Sequence, residues 1–137
     1  MQLDAKLTSF FAARPEVIAA YLFGSRAQGV ARRDSDTDVA VLPDETVVDG
    51  LEYRLGLAEE LERLLGAPVD VVVLPDAPLL LQFQVFKHGR IVFERDADRR
   101  ALYQARAMAM YYDHCRYLDF HGAALRKAIR ERGLGRG

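Results

Sequence analysis

Apolar residues along the chain follow two spacings, one typical of buried strands and one typical of helices. Short continuous apolar runs predict strands at Val17–Phe23, Asp38–Leu42, Val69–Leu74 and Arg90–Glu94. Helical spacing predicts helices at Leu3–Ala13, Arg26–Arg33, Asp49–Leu65, Pro78–His88 and, as one helix or two, Ala97 to about Arg132. This order predicts an α+β or α/β fold, in which helices cover a small mixed β-sheet and a long helix ends the chain.

Finer features of the helices also follow from their spacing. Gly66 stands directly after the second long helix, where a C-cap glycine is expected. In the last helix we expect Tyr112 to pack in the core, whereas Tyr103, Tyr111 and Tyr117 are candidates for either a partner surface or ordinary packing. The buried stripe of the second long helix is predicted to hold Leu51, Leu55, Ala58, Leu61, Leu64 and Leu65.

Composition places the chain among globular proteins. Its 137 residues, 50% apolar and 28% charged, suit one domain spanning 1–137 with a frayed tail at 133–137. Cys115 is the only cysteine, so an intrachain disulfide is excluded and a cytoplasmic location is expected. Neither a signal-peptide layout nor an apolar stretch of membrane-spanning length is present in the sequence, so no membrane partner is expected.

Charge is distributed unevenly, although the net charge is only −1. Residues 99–137 hold nine basic and three acidic residues, a local +6, while residues 1–98 hold ten basic and seventeen acidic residues, a local −7. The near-neutral total argues against direct nucleic-acid binding. The basic last helix is either a solvated surface or a face that meets an acidic partner.

The end of the first strand has the features of a phosphate-binding turn. Gly24 and Ser25 follow the apolar run, and a short helix is predicted next. Glycine lets the backbone approach an anion, and the N–H groups at a helix N-terminus favour negative charge. Ser25 adds a hydroxyl donor, and Arg26 adds a charge that can reach phosphate oxygens. Alone, a Gly-Ser pair after a strand is usually a simple turn.

Three carboxylates stand at the starts of the second and third strands. Asp36 and Asp38 are two residues apart, so in an extended strand they project from the same face. Asp70 begins an otherwise apolar strand and would stand beside them if the two strands are neighbours. Hard divalent cations such as Mg²⁺ take oxygen ligands from carboxylates and substrate phosphates. Asp70 could instead be a base, or a strand-start residue with local hydrogen bonds.

Gly24-Ser25, ten intervening residues and Asp36-Thr37-Asp38 resemble the motif of the polymerase-β-like nucleotidyltransferase superfamily. The longer string, LFGSRAQG followed by SDTDVAVL with Asp70 downstream, is similar to the minimal nucleotidyltransferases (MNT). Many of these are the antitoxins of HEPN/MNT toxin–antitoxin pairs. The resemblance implies the polymerase-β-like nucleotidyltransferase fold.

The same resemblance implies a reaction. Gly24 and Ser25, with Arg26 beside them, would hold the phosphates of ATP. Asp36, Asp38 and Asp70 would be the catalytic carboxylates that ligate two Mg²⁺ ions. A hydroxyl would attack the α-phosphate and release pyrophosphate. In antitoxins of this kind the acceptor is a tyrosine of the partner HEPN ribonuclease toxin, which AMPylation silences within a hetero-oligomer.

Two other functions remain open from the sequence. The chain could neutralise a toxin by binding and occlusion without catalysis, which the basic, tyrosine-rich last helix and the apolar segment Leu79–Phe86 favour. Alternatively, the acceptor could be the hydroxyl of a small molecule, although the chain leaves little length for an added substrate-binding domain.

Overall fold

The computed structural model describes residues 2–24 and 37–132, except the side chains at positions 120, 123–125, 129, 131 and 132. In chain order the elements are α1 (Gln2–Ala12), β1 (Val17–Phe23), β2 (Thr37–Pro43), α2 (Gly50–Leu65), β3 (Val69–Val73), a 3₁₀ turn (Leu74–Asp76), α3 (Leu79–His88), β4 (Arg90–Glu94) and α4 (Ala97–Arg132). The predicted strands and long helices are thereby confirmed, and the last segment is a single helix. The predicted short helix Arg26–Arg33 lies outside the described residues. Within the described part of the chain, no helix combines the length and apolar character needed to cross a membrane.

The described strands form one mixed four-stranded sheet in the order β3-β2-β1-β4. β1 lies between β2 and β4 and is antiparallel to both. β2 and β3 are parallel, because α2 carries the chain back to the same end of the sheet between them. The starts of β2 and β3 therefore lie at the same end of the sheet, together with the end of β1 and the start of β4.

Helices cover both faces of the sheet, as the continuous apolar strands predict. One core cluster lies between the sheet and helices α1 and α2. It includes Leu7 and Phe11 of α1, Leu57 and Leu61 of α2, and Val39 of β2. The second cluster lies between the other face of the sheet and helices α3 and α4. It includes Tyr21, Ala40, Leu74, Val85, Phe86 and Ala107.

The buried face of α2 differs from the predicted stripe. Leu61 is buried as predicted, and Ala58 and Leu65 pack against the same core, but Leu57 is also buried and Leu51 and Leu55 are 59% and 58% exposed. Leu55 and Leu57 lie two residues apart and therefore about 160° apart around a helix, so both cannot face the sheet. The helix ends as predicted at Gly66, whose φ of 68° is left-handed and whose N–H donates to Glu62 O over 2.8 Å.

The tyrosines of α4 also differ from the prediction. Tyr103, not Tyr112, packs in the core: its hydroxyl donates to Gln82 Oε1 over 2.7 Å, and Gln82 is buried. Tyr112 is 49% exposed and makes a T-shaped contact with Phe83, with ring centroids 5.6 Å apart. In α3, Val85 and Phe86 are buried against the sheet, so this segment is mainly a core helix, with Leu80 exposed.

Arg95 joins the end of β4 to the end of α1. Its guanidinium donates to the carbonyl oxygens of Phe11 at 3.1 Å, Arg14 at 3.0 Å and Val17 at 3.0 Å. The carbonyl groups of the last helical turn have no partner within a helix, so a side chain must satisfy them or water must. Arg95 thus caps α1 and fixes it against the sheet.

Candidate active site

Gly24 directly follows β1 and lies against the carboxylate of Asp38. Its φ is +75°, a left-handed conformation that glycine adopts without strain. A β-carbon on Gly24 would lie 2.3 Å from Asp38 Oδ2, closer than non-bonded atoms can approach. Any larger residue would therefore displace the Asp38 carboxylate, so both the backbone conformation and the space require glycine here.

Asp38 and Asp70 are partners in the parallel register of β2 and β3. Asp38 is half-buried and also pairs with Phe23 of β1, whereas Asp70 is exposed at the sheet edge. Neighbouring strands lie about 4.8 Å apart, so the two carboxylates are close on one face of the sheet. The structure confirms that the two strands are neighbours, as the role suggested for Asp70 requires.

Thr37 determines which way Asp38 projects. Thr37 is 2% exposed, and its N–H donates to Pro68 O over 3.3 Å, so it is held firmly at the start of β2. Because successive residues of a strand point to opposite faces, Asp38 projects to the face that carries α3 and α4. Asp70 and Ala40 share that face with Asp38.

Ser25, Arg26 and Asp36, which complete the predicted site, lie outside the described residues. Among the described residues, no group of three metal-ligating side chains occurs. Of the predicted site residues, the structure therefore brings together Gly24, Asp38 and Asp70.

Gly89, which directly follows α3, is a residue of this region whose tight packing the sequence did not reveal. A β-carbon on Gly89 would lie 2.6 Å from Val85 O and 3.3 Å from Phe23 Cβ. Because glycine lacks a β-carbon, the connection from α3 to β4 can lie directly against the end of β1, at Leu22 and Phe23. No pattern of spacing or composition could have signalled this contact, because its partners are distant in the chain.

The same end of the sheet is tied to α1 by an ion pair. Arg90, which pairs with Leu22 of β1, contacts both carboxylate oxygens of Asp4, and its Nη2 lies 3.0 Å from Asp4 Oδ1. The hydrogen bonds from Arg90 hold the pKa of Asp4 below its usual range. The charge of Arg90 is thus engaged with α1.

A cavity of about 320 Å³ lies elsewhere, at the other end of β3. Gly50, Arg54, Val73 and Asp76 are among its lining residues, so it includes neither Asp38 nor Asp70. The described part of the candidate site is an open sheet edge and not this cavity.

The mixed sheet, with carboxylates on two neighbouring strand starts beside a left-handed glycine, agrees with the nucleotidyltransferase fold that the sequence resemblance implies. In agreement, residues 5–98 match the family described as polymerase beta, nucleotidyltransferase. The chain belongs to this family and is a nucleotidyltransferase.

Individual relatives of the chain have more specific descriptions than the family does. The chain is 36% identical over 97 residues to the protein adenylyltransferase MntA of Shewanella oneidensis (strain MR-1), covering 71% of this chain and 68% of that protein. It is similar to a chain of a toxin–antitoxin crystal structure with AMP-PNP, with 30% identity and a TM-score of 0.69 over 96% of this chain and 98% of that one. It is also similar to a chain of a complex between the tri-AMPylated Shewanella oneidensis HEPN toxin and an MNT antitoxin, with 28% identity and a TM-score of 0.63 over 98% of both chains.

Proposed function

We propose that this chain is an antitoxin that transfers AMP from ATP to a tyrosine hydroxyl of a partner HEPN-type ribonuclease toxin, in a Mg²⁺-dependent reaction, and so neutralises that toxin. Its similarity to a protein adenylyltransferase supports the transferred group and the class of acceptor. Its similarity to chains from toxin–antitoxin structures, one with AMP-PNP and one with an AMPylated toxin, supports ATP as the donor and a HEPN protein as the partner.

The pairing of Asp38 with Asp70 beside Gly24 is the observation that carries the chemistry. Two carboxylates on neighbouring strands repel each other unless a cation lies between them. Both present hard oxygen ligands at an open edge, where a phosphate-bearing substrate can enter. The described residues thus fit a divalent cation of the Mg²⁺ type.

We assign the metal ligands as Asp36, Asp38 and Asp70, for two Mg²⁺ ions. When bound, Mg²⁺ neutralises charge on the phosphates and lowers the pKa of the attacking hydroxyl. Gly24 has no side chain and so leaves the space that the Asp38 carboxylate occupies.

The chain's own residues account for the remaining steps. Gly24, Ser25 and Arg26 orient the β- and γ-phosphates, so that the α-phosphate faces the acceptor. The acceptor oxygen forms a bond to the α-phosphorus, the bond to the pyrophosphate oxygen breaks, and the hydroxyl proton passes to Asp70. Asp70 suits this role because it is exposed at the edge that a protein acceptor must approach.

The direct test is the intact mass of the HEPN-type protein encoded beside this chain, after co-expression with the wild type or with Asp38→Asn. The wild type should add adenylyl units, and Asp38→Asn should add none. Asp98→Asn, which changes an exposed carboxylate at the start of α4, is the matched control and should behave as the wild type. Full modification by Asp38→Asn would refute the proposed chemistry.

Occlusion without catalysis is the competing function, and the exposed side chains of Tyr117 and Leu118 in α4 favour it. Cells that express the toxin separate the two functions. Under the catalytic proposal, Asp38→Asn fails to protect them even when it is expressed at the wild-type level. Protection by Asp38→Asn would show that binding alone neutralises the toxin.

A further inference from the structure

The second half of α4 extends beyond the part of the helix that packs on the body of the protein. Ala107 is buried, and Tyr111 stacks on Phe83 of α3 with ring centroids 4.3 Å apart. Beyond Tyr112, no described side chain of α4 is buried, and Tyr117 and Leu118 are 58% and 52% exposed. These turns of helix therefore present side chains that the described part of this chain does not cover.

The uncovered turns continue the buried face of α4. From Ala107, the same side of a helix passes through Tyr111, Cys115, Leu118 and Gly122, at intervals of three or four residues. In the sequence, Leu125 and Ile129 follow at the same interval. An apolar stripe with alternating intervals of three and four residues is the pattern with which one helix packs along another.

The comparisons indicate which proteins share this helix. The match to the nucleotidyltransferase family ends at residue 98, just after the start of α4. The chains from toxin–antitoxin structures instead cover 96% and 98% of this chain, which must include most of α4. The helix is therefore shared with chains from toxin–antitoxin structures and lies outside the family match.

We propose that the stripe Cys115–Leu118–Gly122 of α4 is a docking surface for an apolar helix face of the HEPN-type partner. This proposal rests on the proposed function for the identity of the partner. At Gly122 the stripe has no side chain of its own, and the guanidinium of Arg126 lies beside it, 3.5 Å from where a β-carbon would stand. Residues 113–132 hold five basic and three acidic residues, a net +2 that an acidic margin on the partner's face would complement.

A pair of matched variants tests the stripe. Leu118 and Leu102 are both leucines of α4 and both 52% exposed, but they lie sixteen residues and about 160° apart around the helix. Leu118→Ser should weaken binding of the HEPN-type protein at least about tenfold, because a leucine is lost from an apolar contact. Leu102→Ser should change the Kd less than about twofold. Circular dichroism should show equal helix content in both variants.

A second readout separates docking from catalysis. If Leu118 only docks the partner, Leu118→Ser raises the KM for the partner protein and leaves kcat unchanged, so saturating partner restores the rate. A fall in kcat at saturation would contradict the proposal. Equal loss of binding in the Leu118 and Leu102 variants would also contradict it.

The outcomes distinguish this inference from the proposed function. If the wild type adenylylates the partner and Leu118→Ser binds it normally, the docking surface is refuted and the enzyme stands. If the wild type binds the partner through Leu118 but never modifies it, docking stands and the proposed adenylyl transfer to this partner is refuted. If light scattering shows a wild-type dimer that Leu118→Ser abolishes, the stripe binds a second copy of this chain and the proposed partner is wrong.

Discussion

The Cα of Gly24 lies against the carboxylate of Asp38, so closely that a β-carbon would come within 2.3 Å of Asp38 Oδ2. The glycine that follows β1 thus has two roles. It adopts a left-handed turn toward the predicted phosphate-binding residues, and it leaves the space that the half-buried carboxylate occupies.

Three glycine variants separate these two roles. Gly24→Ala should abolish most adenylyl transfer, because it strains the backbone and displaces Asp38. Gly66→Ala has the same left-handed strain, at φ 68°, but no atom within 4 Å of the added carbon. It should cost about 1 kcal/mol of stability and no activity. Gly56→Ala, in the interior of α2 with nothing within 4 Å, should gain about 0.5–1 kcal/mol.

Denaturant unfolding measures the stability of each glycine variant, and the rate of adenylyl transfer measures its activity. The distinguishing result is a loss of activity in Gly24→Ala that its loss of stability does not explain. If Gly24→Ala and Gly66→Ala lose equal stability and both remain active, the Asp38 carboxylate does not depend on this glycine.

Asp70→Asn should slow adenylyl transfer at least about a hundredfold, because the carboxylate is the proposed base and metal ligand. Without Mg²⁺ its folding stability should equal or exceed that of the wild type, since one of two neighbouring like charges is gone. Mg²⁺ should raise the Tm of the wild type and raise that of Asp70→Asn less. An equal rise in both proteins would remove Asp70 from the proposed metal site.

Arg95→Met should destabilise the fold by about 2 kcal/mol, although the residue is remote from the catalytic chemistry. The change keeps most of the apolar stem and removes the guanidinium donors to the carbonyl oxygens of Phe11, Ala12 and Arg14, of which those of Phe11 and Arg14 also accept a backbone N–H. Arg63→Met is the control: its pair with Glu59, at 3.8 Å, is exposed and should cost less than about 0.5 kcal/mol. Urea unfolding measures the free energy of unfolding of both variants. Equal losses in the two would mean that water replaces the Arg95 guanidinium without a cost in stability.

Alkaline pH should destabilise the protein in part through Tyr21. Burial raises the pKa of Tyr21 to about 12, against an ordinary value of about 10. Because the folded pKa is the higher one, the stability contributed by the protonated phenol is complete below about pH 10. It is lost as the pH rises toward 12.

Tyr21→Phe should therefore reduce the slope of unfolding free energy against pH between about pH 10 and 12. The slope should not vanish, since burial also raises the pKa values of Tyr53 and Tyr103. Urea unfolding at several pH values measures the slope. Identical slopes in the variant and the wild type would show that Tyr21 does not titrate in this range.

The sequence by itself predicted the strands and long helices because apolar spacing and glycine or proline boundaries are local properties. Val17–Phe23 and Gly66 are examples: one is an unbroken apolar run, and the other ends a helix in a conformation that favours glycine. The motif around Gly24 and Asp38 likewise indicated the family, since its residues are close in the chain.

The tertiary structure decided what depends on residues that are distant in the chain. Helical spacing left several leucines of α2 as candidates for the buried face. Only contact with the sheet determines that Leu57 is buried and Leu55 is exposed. Tertiary contacts likewise determine that Tyr103, and not Tyr112, packs in the core. They also determine that residue 89 has no room for a β-carbon beside β1. Asp38 and Asp70 became neighbours only through the parallel pairing of β2 with β3, because strand order is set by the packing of the whole sheet and not by either strand's own sequence.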